Sequence, residues 1–482
     1  MSDEIKGLIR DCLVVLDHDL TIIEELFDYA EGRHPLPYTP EHADSEYMEL
    51  ARRSITNLFP LVLDSSAQAL YVDHFRHGAL TRAELFEETE RDPYWAHWQA
   101  SRMDARQGSL YRAALICGHS FALTEKVGGR ALTRGLSPKT TVALFSDPSN
   151  GIEPDVALHR LELPGYRKPG KVLFWDKANR YEATYAAGWQ KDLTKITITK
   201  TARHGAKRCP VTRIPVHVDL DGKTTGLVEP LIATQDRMNQ AVFDLLIAQS
   251  HSSFVVRTAT GIAPPRVQER DPSTGELRDK LGDDGLPIEL PVQVNARRMM
   301  FAEDPDTKFG HIPASDLSGL IEAVEMAMRQ FAAIAQVPPH YMLGQIANVN
   351  ADALKAASTA LERKNQEIAA NFGEAIERIF RVFAEIEGIE SDEDDFGEVT
   401  WRDLSSSSLA QTADALGKFA ESLGIPVRGL WQRVPGVTRQ ELLEWGKMAE
   451  EDAGERDWMN GLNLDNYSSD DSQETEWELA RE

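Results

Sequence analysis

The chain has 482 residues, 42% of them hydrophobic, enough for more than one folding unit with its own core. Lys and Arg number 52 against 77 Asp and Glu, and the formal net charge of −25 argues against a protein that grips nucleic acid over a broad basic footprint. The cysteines Cys12, Cys117 and Cys209 form no CxxC pair and have no metal-ligand spacing, so they read as buried or free thiols of a reducing compartment. The start MSDEIK is acidic where a signal peptide is basic, and no apolar run reaches the ~18 to 20 residues of a membrane span, so secretion and membrane insertion are not expected.

Residues 3 to 30 carry Ile5, Leu8, Ile9, Cys12, Leu16, Ile23, Leu26 and Phe27 near one face of an amphipathic helix, which the prolines Pro35, Pro37 and Pro40 end. Further helix is expected over 45–57 and 92–118. There Trp95, Trp98 and Met103 recur at helical spacing and read as core or subunit packing in preference to base stacking. The texture changes near Leu136. From there to Val228, β-type runs at 141–145, 171–175, 181–185 and 196–200 alternate with turn residues and predict a small sheet subdomain.

Helix returns at Thr234, read as an N-cap, with Met238, Val242, Leu245 and Gln249 along one face, and ends near Ser252. Strand character follows at 254–257, Pro, Gly and Asp crowd residues 263–287, and two more β-type runs occupy 288–294 and 298–302. The next helix opens after Pro313 with Ser315 and Asp316 as capping candidates. Its stripe is Leu317, Leu320, Ile321, Val324, Met328, Phe331 and Ala335, and Pro338 and Pro339 stop it near Gln336. A short polar loop leads to Asn350 as cap of a last long helix. Its stripe of Leu354, Leu361, Ile368, Phe372, Ile376, Ile379, Phe383 and Ile386 runs to Gly388, a span of more than ~50 Å. The stretches 390–395 and 450–482 are acid-rich and read as solvated.

No catalytic, cofactor or metal site emerges. Gly222-Lys223-Thr224 has His217 where a phosphate loop requires Gly, so Asp221-Gly222 reads as a β-turn. Gly128-Gly129 reads as a loop, since no strand-to-helix phosphate fingerprint surrounds it. His204, Cys209 and His217 fall short of the four ligands of a structural zinc, and RHGAKR reads as a solvated basic loop. Consecutive acids at 392–395 do not converge on one ion.

The phrase KFGHIPASDL, the run IAQVPPHYMLG and the segment NVNADALKAASTALERKNQEIAANFG resemble the second stem helix, tunnel loop and following long helix of the portal proteins of tailed double-stranded DNA bacteriophages. SITNLFPLVLDSSAQALYVDHFR and WAHWQASRMDARQGSLYRAALICGHSFALTE are similar to that family's wing, and GLVEPLIATQDRMNQAVFDLLIAQSHSSF to the approach to its first stem helix. Two residues depart from the pattern: Asn350 stands where Ser is common, and His74 where Gly is common.

The resemblance implies an α+β, predominantly helical portal fold of wing, stem, clip and crown that assembles into a ring around a central channel. It divides the chain into a helical wing (1–135), a β-rich wing subdomain (136–230), a first stem helix (231–252), a clip (253–313), a second stem helix (314–341), a tunnel loop (342–352), a long wing or crown helix (353–390), a helical crown (391–450) and an acidic tail (451–482). It places Gln345, Asn348 and Asn350 nearest DNA and makes Arg297 and Arg298 partner-facing residues of the clip. Read locally, the first three are also an ordinary polar turn with an Asn cap, and the arginines a solvated strand edge.

The implied role is structural: a dodecameric connector at one capsid vertex, made in the host cytoplasm and resident in the virion. Double-stranded DNA passes through it without sequence specificity during packaging and ejection. Implied partners are further copies of the chain, the terminase large subunit, major capsid and scaffolding proteins, and head-completion adaptors, with no membrane and no cofactor. An adaptor or scaffold without a channel, or a packaging enzyme, are the competing readings.

Overall fold

The structure is a computed structural model that describes residues 2–39, 45–76, 92–147, 151–166, 168–253, 257–260, 266–270, 275, 277–282, 299–302, 306, 317–344, 351–389, 397–402, 409–434, 437, 441–442 and 444–452. In chain order the first half contains α1 (Ser2–Ala30), α2 (Ser45–Arg53), α3 (Phe59–Ala67), β1 (Val72–Arg76), α4 (Pro93–Ala100), α5 (Met103–Cys117), β2 (His119–Val127), β3 (Arg130–Leu136), β4 (Thr141–Leu144), β5 (Val156–Glu162), β6 (Gly170–Trp175), β7 (Asn179–Tyr185), β8 (Ile196–Arg203) and β9 (Val211–Pro215). The second half contains α6 (Ile232–Ser253), β10 (Arg257–Thr260), β11 (Gln268–Arg270), β12 (Leu277–Asp279), β13 (Met299–Ala302), α7 (Leu317–Ala335), α8 (Pro339–Leu343), α9 (Ala351–Glu387), β14 (Glu398–Trp401), α10 (Leu409–Leu423) and α11 (Val427–Leu430). No described helix is long and apolar enough to cross a membrane. The class is α+β, with helices and small sheets whose strand pairs are antiparallel except for β10 with β13.

Two compact units divide these elements. The first comprises Met1–Arg33, Leu58–Ile232 and Ala332–Glu482. Its five-stranded sheet is an antiparallel meander in the order β4-β5-β6-β7-β8. Alternation along β6 sends Val172 and Phe174 to one face, where they meet Ile5, Ile9, Leu13 and Leu16 of α1. Leu173 and Trp175 point the other way and join Phe121 and Leu123 of β2 and Val211 of β9. Burial on both faces is why β6 reads as a nearly unbroken apolar run.

A second sheet, in the order β3-β2-β9, rests against α9, whose Phe372, Ile376, Ile379, Phe380 and Phe383 are buried. Arg378 of α9 is itself buried and donates from Nη1 to Val211 O at 3.0 Å and from Nη2 to Cys209 O at 2.8 Å, tying the helix to the start of β9. The 37 residues of α9 span about 55 Å at ~1.5 Å per residue, and Gly388 at φ +72° ends it.

The structure corrects several expectations for this unit. The region read as one helix over 92–118 is two helices, α4 and α5, separated at Ser101 and at Arg102 in the left-handed region (φ +56°). Sheet begins well before Leu136, with the β2–β3 hairpin inside the stretch assigned to a helical wing. Gly128 and Gly129, at φ +62° and +87°, form its tight turn, as two-residue hairpins with both central residues left-handed require. A strand also interrupts the supposed all-helical 391–450: β14 pairs antiparallel with β1, which places His74 opposite Thr400 in a strand. Trp98 and Met103 are core residues, as their spacing suggests, and Trp95 is partly buried.

The second unit comprises His34–Asn57 and Ala233–Phe331. Helix α6 begins two residues before Thr234, so Thr234 lies in its first turn and does not cap it. Its buried side is a polar ladder: Asn239 Oδ1 accepts from Thr56 N at 3.1 Å, Gln235 Nε2 donates to Thr56 O at 2.7 Å, and Gln240 Oε1 accepts from Tyr38 N at 2.9 Å. These amides satisfy the backbone of the extended segments on either side of α2, which has few backbone partners of its own. The loop-rich 263–287 contains the short β11–β12 hairpin, and β10 pairs parallel with β13.

Candidate functional site

All five residues singled out from the resemblance, Gln345, Asn348, Asn350, Arg297 and Arg298, lie outside the described residues. The structure does place the two ends between which residues 345–350 are strung. On the near side α7 stops at Ala335, and Gln336 N donates to Ala333 O at 3.2 Å while Val337 N donates to Ala332 O at 3.0 Å. This is a Schellman closure whose left-handed position is filled by Gln336 (φ +54°) where glycine is the usual occupant, at a cost of about 1 kcal/mol.

Pro338 and Pro339 forbid continuation, and the separate one-turn helix α8 follows, closed by Gly344 at φ +64°. A single stem helix over 314–341 is therefore corrected to α7, an elbow and α8. On the far side, α9 starts at Ala351.

Lys364 of α9 holds the elbow. Its Nζ donates to Ala335 O at 2.8 Å, placing a cation on an orphan carbonyl at the negative end of α7. Nearby, His217 Nδ1 lies 3.7 Å from Glu367, and Asn371 Nδ2 donates to Val216 O at 2.8 Å. Lys364, His217 and Glu367 line a cleft of about 310 Å³ together with Val62, Leu231, Ile334 and Ile368. Its wall at 216–227 lies tightly on the end of α5, because Gly118 and Gly226 have no Cβ to collide with Thr224 and with Ile116 O.

Burial lowers the Lys364 pKa to about 8. The unfolded chain, near 10.5, then binds the extra proton between these values, so Lys364 opposes folding below pH 8 and its penalty fades as pH rises to 10.5. Denaturation midpoints of the wild type should therefore rise across pH 8 to 10 relative to Lys364→Met. Parallel curves for the two proteins would contradict this assignment.

Chemically the cleft offers one amine and one imidazole–carboxylate pair, an arrangement suited to fixing an elbow. Among the described residues no group of three or more His, Cys, Asp or Glu is arranged to hold a metal. His204, Cys209 and His217 are not brought together as ligands: His204 donates from Nε2 to Asp176 O at 3.1 Å and accepts at Nδ1 from Ala206 N. Burial also pushes the Cys209 thiol up to about 12.

RHGAKR is not a solvated loop. Arg208 Nε bonds Glu385 at 2.8 Å and Lys207 N bonds the same carboxylate, which fastens the loop to α9. Asp219 Oδ1 accepts from Asp221 N and Lys223 N, making the Gly222 segment a turn. Sequence reasoning missed Lys364, although a signal exists: Lys364 and Asn365 interrupt the stripe between Leu361 and Ile368.

The family described as "Phage portal protein, SPP1 Gp6-like" matches residues 10–455. The chain belongs to the SPP1-type phage portal protein family. No curated protein sequence matches it significantly. Two solved structures similar to this portal protein come from gene transfer agent particles. "Virion of native gene transfer agent (GTA) particle" is 13% identical, with 83% of this chain and 97% of that chain covered, at a TM-score of 0.35. "Neck of empty GTA particle computed with C6 symmetry" is 12% identical with the same coverage at a TM-score of 0.40. The family assignment rests on the sequence match and not on these two likenesses.

Proposed function

We propose that this portal protein assembles into a ring, a dodecamer in the virion, whose channel carries double-stranded DNA into the capsid and later out of it. The observation that carries the reading is the family match over residues 10–455. The order of α6, a β-containing insert, α7, the elbow and α9 supports it, since a generic scaffold has no need of that order. In this reading α6 and α7 are stem helices, the insert with Arg297 and Arg298 is the clip facing the terminase large subunit and then the head-completion adaptors, and Gln345, Asn348 and Asn350 face DNA. Ile321 and Met326 are 47% and 55% exposed on α7, apolar surface that a neighbouring copy would cover.

Twelve chains of net charge −25 repel phosphate, and uncharged amides at the constriction then let DNA slide without being held. The role is structural, with the driving force from a separate ATP-hydrolysing terminase, in contact with capsid and scaffolding proteins at one vertex. Assembly takes place in the host cytoplasm.

The test replaces Gln345–Asn350 by a Gly/Ser stretch of equal length. Rings should still form, while DNA retained per particle or delivered to cells falls at least about tenfold, the loss expected when positioning contacts to a moving substrate go. Particles that package and deliver like wild type would contradict the channel assignment of this loop.

A further inference from the structure

We propose that the open edge of β8 docks the chain's own acidic C-terminal segment, residues 453–482, as an added strand. The five-stranded sheet has two edges of different character. Each edge strand has one strand partner among the described residues; β4 has Thr141 and Val142 buried against α1, whereas β8 touches α1 only through its first half, where Ile196 is buried and Ile198 partly buried. From Thr199 to Arg203 every residue is exposed, on both faces of the strand. The sequence ITITKTAR has the β-branched composition of a strand that pairs readily, and an unpaired edge of this kind invites another chain.

Charge selects the occupant. Residues 191–203 carry Lys191, Lys195, Lys200 and Arg203 against one acid, Asp192, in a chain whose net charge is −25. Lys200 lies 3.8 Å from Glu182 with its side chain 65% exposed, so that pair leaves it open to a further carboxylate. Between Ile198 and Lys200 the ladder skips Thr199, whose hydroxyl donates to Glu182 O at 2.9 Å. A bulge and edge lysines discourage pairing with neutral strands, and they favour one that brings carboxylates.

Residues 453–482 hold nine acids and two arginines. Within them Glu474-Thr475-Glu476-Trp477-Glu478-Leu479 alternates strictly, carboxylates on one side and Thr, Trp and Leu on the other. That is the period of a strand, and it sets three glutamates along one face, the side of the sheet on which Lys200 lies; Arg203, three ladder positions on, faces the other side. Main-chain hydrogen bonds would supply affinity and the charged pairs register and polarity, as in other cases of strand addition.

Hydrogen-exchange mass spectrometry of the full chain and of a variant ending at Asp452 tests this. Amides of residues 197–203 should exchange at least about tenfold more slowly in the full chain, with β6 unchanged between the two. The full-length variant Glu474→Lys/Glu476→Lys/Glu478→Lys should lose the same protection, which guards against misfolding of the truncated chain. A zero-length carbodiimide should join Lys195 or Lys200 to these glutamates in the wild type. Equal exchange of β8 in the three proteins, or cross-links from the C-terminal segment only to other lysines, would overturn the proposal.

Discussion

Phe380→Ala should destabilise the first unit by about 3–5 kcal/mol, the range for emptying a fully buried aromatic site. Phe380 has no solvent exposure and sits where α9, β1 and α4 meet: its ring lies 4.5 Å from Phe75 of β1, and 6.0 Å from Tyr94 and 5.7 Å from Trp98 of α4. The cavity cannot collapse easily, because Phe75 is fixed by the β1–β14 ladder and Tyr94 by its own edge contact with Phe383. Phe380→Leu keeps most of the volume and should cost clearly less. Urea denaturation followed by tryptophan fluorescence reads both, since Trp98 reports on the site itself. A loss below 1 kcal/mol for the alanine variant would remove Phe380 from the centre of this unit.

Acid should unfold the first unit more readily than its carboxylates alone predict. Burial lowers His97 to about 4, His119 to about 3 and His159 to about 4 from an ordinary 6.5. His97 donates from Nδ1 to Ala131 O at 3.1 Å and stacks on Phe383 at 4.1 Å, and at Nε2 it accepts from Thr133, a role that only the neutral ring can fill. His119 and His159 each use Nδ1 with a threonine hydroxyl at 2.9 Å.

A depressed histidine contributes stability that is complete above the unfolded pKa of 6.5 and is lost as pH falls toward the folded value near 4. For His97 the shift corresponds to about 3 kcal/mol between pH 6.5 and 4. Glu377, raised to about 6 by burial, and Asp19, raised from 3.8 by burial, work in the opposite sense and regain stability as pH falls toward their unfolded values, but the Glu377 shift is smaller than that of any of the three histidines. Denaturation free energy should therefore fall steeply from pH 6.5 to 4. His97→Gln should have a shallower slope there, and an unchanged slope would show that His97 titrates normally in the fold.

Where the sequence was easy to read, burial and period agreed. The stripe on α9 alternates apolar and polar residues at helical spacing, and Leu361, Ile368, Phe372, Ile376, Ile379, Phe383 and Ile386 are all buried. The β2–β3 hairpin was hidden because residues Ser120 to Thr124 of β2 are buried on both faces, which erases the alternation that marks a strand. The β1–β14 ladder joins segments more than three hundred residues apart, and no local pattern encodes such pairing.

Gln235 and Asn239 escaped notice for a different reason: they are buried for their hydrogen bonds, and hydrophobic periodicity does not register amides. At the elbow, the two prolines made the stop legible, whereas the clamp by Lys364 depends on a partner 29 positions away. The side chains expected to face DNA rest on family order alone, since a run of amides and small residues carries no chemistry that marks its place.

Electron microscopy of the purified full-length protein, with mass from light scattering, shows directly whether the chain forms a ring with a channel. Class averages should show cyclic symmetry and an open centre, with a mass corresponding to about a dozen copies of the 53.8 kDa chain. Particles of ring mass with a closed centre, or a monomer or dimer that stays so in the presence of capsid and scaffolding protein, would contradict a ring with a channel.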